Sequence, residues 1–169
     1  MPSAKVVTCN YTYSTGASGI DHSAEGSRTV IRNGTVRGFG GGGVWVGDGS
    51  TMEDLFVEHN GYIGLVMTGA GRIRNVHAVY NQMHGILAYD AVIEGSISRF
   101  NGGSGYYLMN TLLIGSKADG NKSFGVMITG SSGASGVRES MLNGNMNGAL
   151  YASPYLKSMG NNLCDGTAC

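Results

Sequence analysis

The sequence is poor in charge, in proline and in cysteine. Of its 169 residues 13% are charged, about half the quarter usual for a soluble domain. Lys plus Arg and Asp plus Glu number 11 each, so the formal net charge is zero. That balance lacks the basic footprint on which binding to nucleic acid or an anionic membrane rests. With two prolines and no Gly-X-Y period, a collagen-like chain is excluded. No run approaches the roughly 18 consecutive apolar residues of a membrane-spanning helix, so no membrane insertion is expected. No leader segment is visible at Met1-Pro2-Ser3. The three cysteines do not suggest a metal centre, because no His or second Cys pair stands at ligand spacing. Neither metal nor cofactor is expected. Cys164 and Cys169 bracket Asp165-Gly166-Thr167-Ala168, a short loop that a disulfide could close, which leaves Cys9 over. A terminal disulfide points to an exported protein, secreted or periplasmic.

Glycine is abundant, at 30 of 169 residues, as a strand protein with many turns requires. Its placement is periodic. Asn60-Gly61-Tyr62-Ile63-Gly64-Leu65-Val66-Met67 sets a pattern of Asn, three variable residues, Gly and an alternating run. The pattern recurs from Asn81, Asn101 and Asn121, at spacings of 21, 20 and 20 residues. A fixed period near 20 with two-residue alternation inside it marks a β-solenoid.

Taking each Asn as an anchor, with Phe39 in its place in the first coil and Asn145 in the last, aligns the chain in rows. Eight residues before the anchor stand Ile31, Met52, Ile73, Ile93, Leu113 and Val137. The rows five and three before it are also apolar or small, as are those five and seven after it, and all are assigned inward. Six before it come Asn33, Asp54, Asn75, Gly95, Gly115 and Glu139. Asn, Asp and Gly accept a left-handed backbone, so this row predicts a one-residue bend between two short strands. Each coil then holds three strands. Residues 1–29 are expected to be an irregular cap, with Ser14 to Ser27 as loop. Residues 30–153 form the coils, and residues 154–169 an incomplete last coil with the cysteine loop.

Thr29-Val30-Ile31-Arg32-Asn33-Gly34-Thr35-Val36, the repeated Asn-x-x-x-Gly-[Ile/Val/Leu] and the closing Gly160-Asn161-Asn162-Leu163-Cys164-Asp165-Gly166-Thr167-Ala168-Cys169 resemble the right-handed parallel β-helix superfamily of pectate lyases and polygalacturonases. More narrowly they resemble its short, Gly-rich, secreted bacterial members of unassigned function. The resemblance implies an all-β, single-stranded right-handed parallel β-helix of about six to seven coils of 20–24 residues. It does not specify an activity, because this fold hosts lyases, hydrolases, epimerases and inert adhesins.

Function is sought in the outward rows. Seven before the anchor, Arg32, Glu53, Arg74, Glu94, Ile114 and Arg138 form a register-fixing charge ladder. Six after it stand Trp45, Val66, Leu87, Tyr107, Met127 and Tyr151. A solvated row should be polar, so this row predicts an exposed apolar surface for binding or interface. In the superfamily's polysaccharide hydrolases this strand carries outward acids. The matching slots here hold none, and a paired-carboxylate glycosidase needs two on one face. The leading expectation is therefore a non-catalytic scaffold that self-associates as a homo-oligomer or binds a partner through this row. The alternative is a carbohydrate-active or small-molecule enzyme or binding protein with its site on the same face, around the weak catalytic candidates His84, Tyr89 and Tyr107. His59, His77 and Tyr80 are further polar candidates. The row suits a carbohydrate or apolar ligand.

Overall fold

The computed structural model describes residues 5–8, 16–24, 28–128, 133–151 and 153–169. Among these residues the regular structure is all strand. The chain climbs in about seven coils, and nearly every strand pairs in parallel with its counterpart in the coils above and below. The register is the one the rows predict. Ile31 aligns with Met52, Met52 with Ile73, Ile73 with Ile93, and Leu113 with both Ile93 and Val137.

The bend row has a common backbone. Asn33, Asp54, Asn75, Gly95, Gly115 and Glu139 have φ of 57, 55, 49, 55, 54 and 53°. Asn75 also donates from its side-chain amide to Asp54 at 2.6 Å, so the bends are tied from coil to coil. A second left-handed position directly precedes each anchor, at Gly38, His59, Tyr80, Phe100, Gly120 and Gly144. A third follows the strand after each anchor, at Gly49, Gly69, Asp90, Asn110 and Gly133, and together these bends wrap the three strands around one narrow core. Met52, Leu55, Leu65, Met67, Ile73, Ile86, Ile93, Leu108, Leu113 and Leu142 are buried in it. Tyr106 is its largest member, and its hydroxyl donates to the Ser96 carbonyl at 2.8 Å.

The anchors do more than turn the chain. Asn60, Asn81, Asn101, Asn121 and Asn145 are buried in one column. The Oδ1 of each accepts the backbone N–H of the anchor one coil earlier. Asn60 donates this way to Asn81 at 3.2 Å, Asn81 to Asn101 at 2.9 Å, and Asn121 to Asn145 at 3.1 Å. Their Nδ2 groups donate to the next Oδ1 and to carbonyls such as Val57 and Ala78. A buried amide must find partners for both ends, and the ladder supplies them. A second ladder runs through the row five before the anchor. Val76, Ser96 and Ser116 donate their N–H groups to the hydroxyls of Ser96, Ser116 and Ser140. The small residues in that row are thus hydrogen-bonding core, not filler.

The stretch expected as loop contains a strand at residues 20–22, and its residues 14, 15 and 25–27 lie outside the described residues. Ile20–His22 is a strand parallel to Val44–Gly47, with Asp21 beside Trp45. Lys5–Thr8 pairs in parallel with residues 34–37. Both add to the ladder on its N-terminal side. The apolar alternation of residues 20–22 is too short to announce a strand, and pairing with a formed neighbour settles its conformation. Cys9 lies outside the described residues. At the other end Leu163–Cys164 and Thr167–Ala168 form an antiparallel pair, and Cys164 is bridged to Cys169. That reversal covers the last strand edge of its row.

Candidate functional site

The row six after the anchor is continuous. Strand register places Asp21, Trp45, Val66, Leu87, Tyr107 and Met127 side by side. Tyr151 follows Leu150, which pairs with Val126, so it completes the row. Alternation sends these side chains outward because Leu65, Met67, Ile86, Ala88, Tyr106 and Leu108 on either side point into the core.

The row is less exposed than alternation predicts. Val66 is 2% exposed, which corrects its expected place on an open surface. Trp45, Leu87, Tyr107 and Met127 are half-buried, and Tyr151 is exposed at 38%. Large side chains one strand spacing apart, about 4.8 Å, cover one another, and the smallest of them disappears between Trp45 and Leu87. What remains accessible is a partly sheltered apolar band with rings along it. Phe124 meets Tyr151 edge-on at 5.2 Å between centroids.

His84, Tyr89 and Tyr107 do come together. The His84 ring lies 4.9 Å from the Tyr107 ring. Tyr89 stands diagonally across from Tyr107 on the same outward alternation, since Leu87 pairs with Tyr107 and Tyr89 with Met109. His84 Nδ1 accepts the Ser104 backbone N–H at 2.9 Å, which leaves the neutral ring's proton on Nε2. Burial lowers the His84 pKa, and an N–H donated to Nδ1 likewise favours the neutral ring. Burial, and then the neighbouring Tyr107, raises the pKa of Tyr89. At neutral pH the cluster therefore carries no charge. It offers ring faces, a phenol hydroxyl and one N–H donor. The only lone pair of the imidazole is already used, so His84 is poorly placed to take a proton from a substrate.

The other polar candidates lie elsewhere. His77 packs against Phe56 at 4.6 Å, on the strand after the bend. His59 stacks on Tyr80 at 5.1 Å, and Tyr80 on Phe100 at 5.3 Å. This exposed stack was not anticipated, although an aromatic residue directly before three successive anchors was its visible signal. An open groove of about 390 Å³ lies over Gly95 and Gly115, bordered by Lys117 and Glu139. Among the described residues no group of three His, Cys, Asp or Glu side chains is placed to hold a metal ion.

Residues 3–154 match the family model described as right handed beta helix region. The chain belongs to that family. Its coil is a right-handed parallel β-helix. Two solved structures of the same fold are similar to it. The periplasmic alginate epimerase AlgG is 18% identical, with a TM-score of 0.65 over 75% of this chain and 37% of its own. The A-module of the Azotobacter vinelandii mannuronan C-5 epimerase AlgE4 is 21% identical, with a TM-score of 0.65 over 72% of this chain and 37% of its own. This β-helix thus spans little more than a third of either structure, and identities at this level show the fold alone. No curated protein sequence matches it.

Proposed function

We propose that this β-helix is a non-catalytic carbohydrate-recognition domain. Its binding face is the row from Trp45 to Tyr151, flanked by His84 and Tyr89. The observation that carries the proposal is the uncharged ring cluster of His84, Tyr107 and Tyr89 on an otherwise apolar outward strand row. Sugars present apolar C–H faces and peripheral hydroxyls. Sheltered aromatic faces with a few fixed polar groups meet both. The likeness to two alginate epimerases supports a carbohydrate as the ligand class. Catalysis is not proposed, because this row carries no carboxylate between Trp45 and Tyr151 and the His84 lone pair is occupied. A secreted or periplasmic location suits such a role, and AlgG is titled a periplasmic enzyme.

Affinity electrophoresis through gels containing single polysaccharides tests the proposal. Retardation by at least one polymer, whose composition and chain length stay unchanged on prolonged incubation, supports it. Turnover of any polymer contradicts the non-catalytic part, and no retardation across a broad panel contradicts the whole.

A second reading is self-association through the same row, favoured by Tyr151, exposed at 38% beside Phe124. The burial of Val66 leaves it less apolar area to cover. Sedimentation equilibrium decides: a concentration-independent monomer removes this reading, and a dimer lost in Tyr151→Glu supports it.

A further inference from the structure

We propose that the ligand of the Trp45–Tyr151 row is an uncharged glycan, not a polyuronate. The inference rests on the carbohydrate reading above. A polyuronate carries a carboxylate on every sugar ring, and proteins meet such groups with Arg or Lys, bidentate where Arg is used. The chain has 11 such residues, and the fold sends most of them elsewhere. Arg37, Arg72, Arg74 and Lys117 are held in ion pairs by Glu58, Glu94, Glu53 and Asp119. These pairs, together with Arg32, Arg99 and Arg138, stand on the strands before and after the bend, on the other faces of the coil. Lys5 and Lys157 belong to those strand rows as well.

Among the described residues, two cations come near the margins of the binding row. Lys122 follows the anchor Asn121, and Arg28 lies against Gly49. The same margins carry three carboxylates. Asp21 pairs beside Trp45, Asp48 follows Gly47 at the end of its strand, and Asp90 follows Tyr89. Asp90 is further fixed by the Asn110 amide at 2.6 Å. The middle of the row, from Val66 to Met127, has no charged side chain. An anionic polymer laid along it would lose hydration at each carboxylate without a counter-charge, and would meet a net negative margin. A neutral polymer loses only weakly held water and gains ring stacking on Trp45, Tyr107 and Tyr151. The Tyr89 hydroxyl and the His84 Nε2–H then serve its hydroxyls.

Biolayer interferometry on the immobilised full chain tests this. The probes are soluble uncharged polymers (galactomannan, xyloglucan, hydroxyethylcellulose) and the polyuronates alginate and polygalacturonate, each at low and at physiological salt. The expected result is binding to at least one neutral polymer, at least tenfold tighter than to either polyuronate and insensitive to salt. Tyr107→Ala, and separately the exposed Tyr151→Ala, should weaken it about tenfold with melting transitions intact. Polyuronate binding as tight as or tighter than neutral binding overturns the inference and leaves the carbohydrate reading standing. No binding to any polymer overturns both. Neutral binding unchanged in both variants overturns the assignment to this row.

Discussion

At the scale of single residues, the anchor asparagines are the clearest case of a side chain used twice. Asn101 accepts both the N–H and the Nδ2–H of Asn81 and donates to Ala78 and to Asn121. Asn101→Ala leaves buried donors and an acceptor with no water to replace the lost partner. We expect a loss of about 3 kcal/mol, since each buried orphan costs about 1–3 kcal/mol. The check is the denaturation midpoint at unchanged m-value. His84 gives a second test. Its pKa lies below the ordinary 6.5 because burial disfavours the charged form. Between the folded value and 6.5 the unfolded chain binds more protons, so stability rises with pH through that window. The contribution is complete above 6.5 and is lost as pH falls through the folded value. His84→Gln should therefore lose less stability than the parent on acidification through the histidine range, measured by melting temperature. His77, lowered by burial first and by the Arg99 charge second, supplies a further share that remains in the variant. The recurrence of Asn was legible in the sequence, but its burial was not. A polar residue at a corner reads as a turn former until the stacking direction makes its neighbours amides.

At the scale of elements, three left-handed corners shape each coil, and glycines at and between them tolerate substitution very differently. A Cβ on Gly85 would stand 1.8 Å from Ser98 Oγ, 2.7 Å from Asn101 Nδ2 and 2.9 Å from the Gly105 carbonyl. Gly85→Ala should cost about 3 kcal/mol, the upper end of the usual range for forced overpacking. A Cβ on Gly95 meets nothing within 4 Å, although φ is 55°. Gly95→Ala should cost about 1 kcal/mol, from the left-handed backbone alone. Urea titration of the two variants side by side checks the difference. Tyr106→Phe should cost about 1–2 kcal/mol by leaving the Ser96 carbonyl without its hydroxyl donor. The bend row was legible because Asn, Asp and Gly dominate it. The corner directly before each anchor was hidden by His59, Tyr80 and Phe100, which take φ of 56–57°. Each costs about 1–2 kcal/mol in that conformation, and stacking returns about 0.5–1.5 kcal/mol per ring pair. That compensation exists only once the coils are stacked. Val66 was misplaced for a similar reason: alternation gives direction, while burial depends on the size of the neighbours above and below.

At the scale of the whole molecule, the solenoid separates its tasks by face. Ion pairs occupy two strand rows, and the third is left almost without charge. The N-terminal strands at Lys5–Thr8 and Ile20–His22 and the C-terminal hairpin extend or close the ladder at its ends. The hairpin is stapled by Cys164 and Cys169. Each face carries its own oxidisable side chains, so hydroxyl-radical footprinting reports on all of them at once. With a bound neutral glycan, protection should be confined to Trp45, His84, Tyr89, Tyr107, Met127 and Tyr151, while Phe56, Tyr80, Phe100 and Met141 react as in the free protein. Protection of Phe56, Tyr80, Phe100 or Met141 in their place, or an unchanged pattern on all faces at saturating glycan, would contradict the assignment of function to this row.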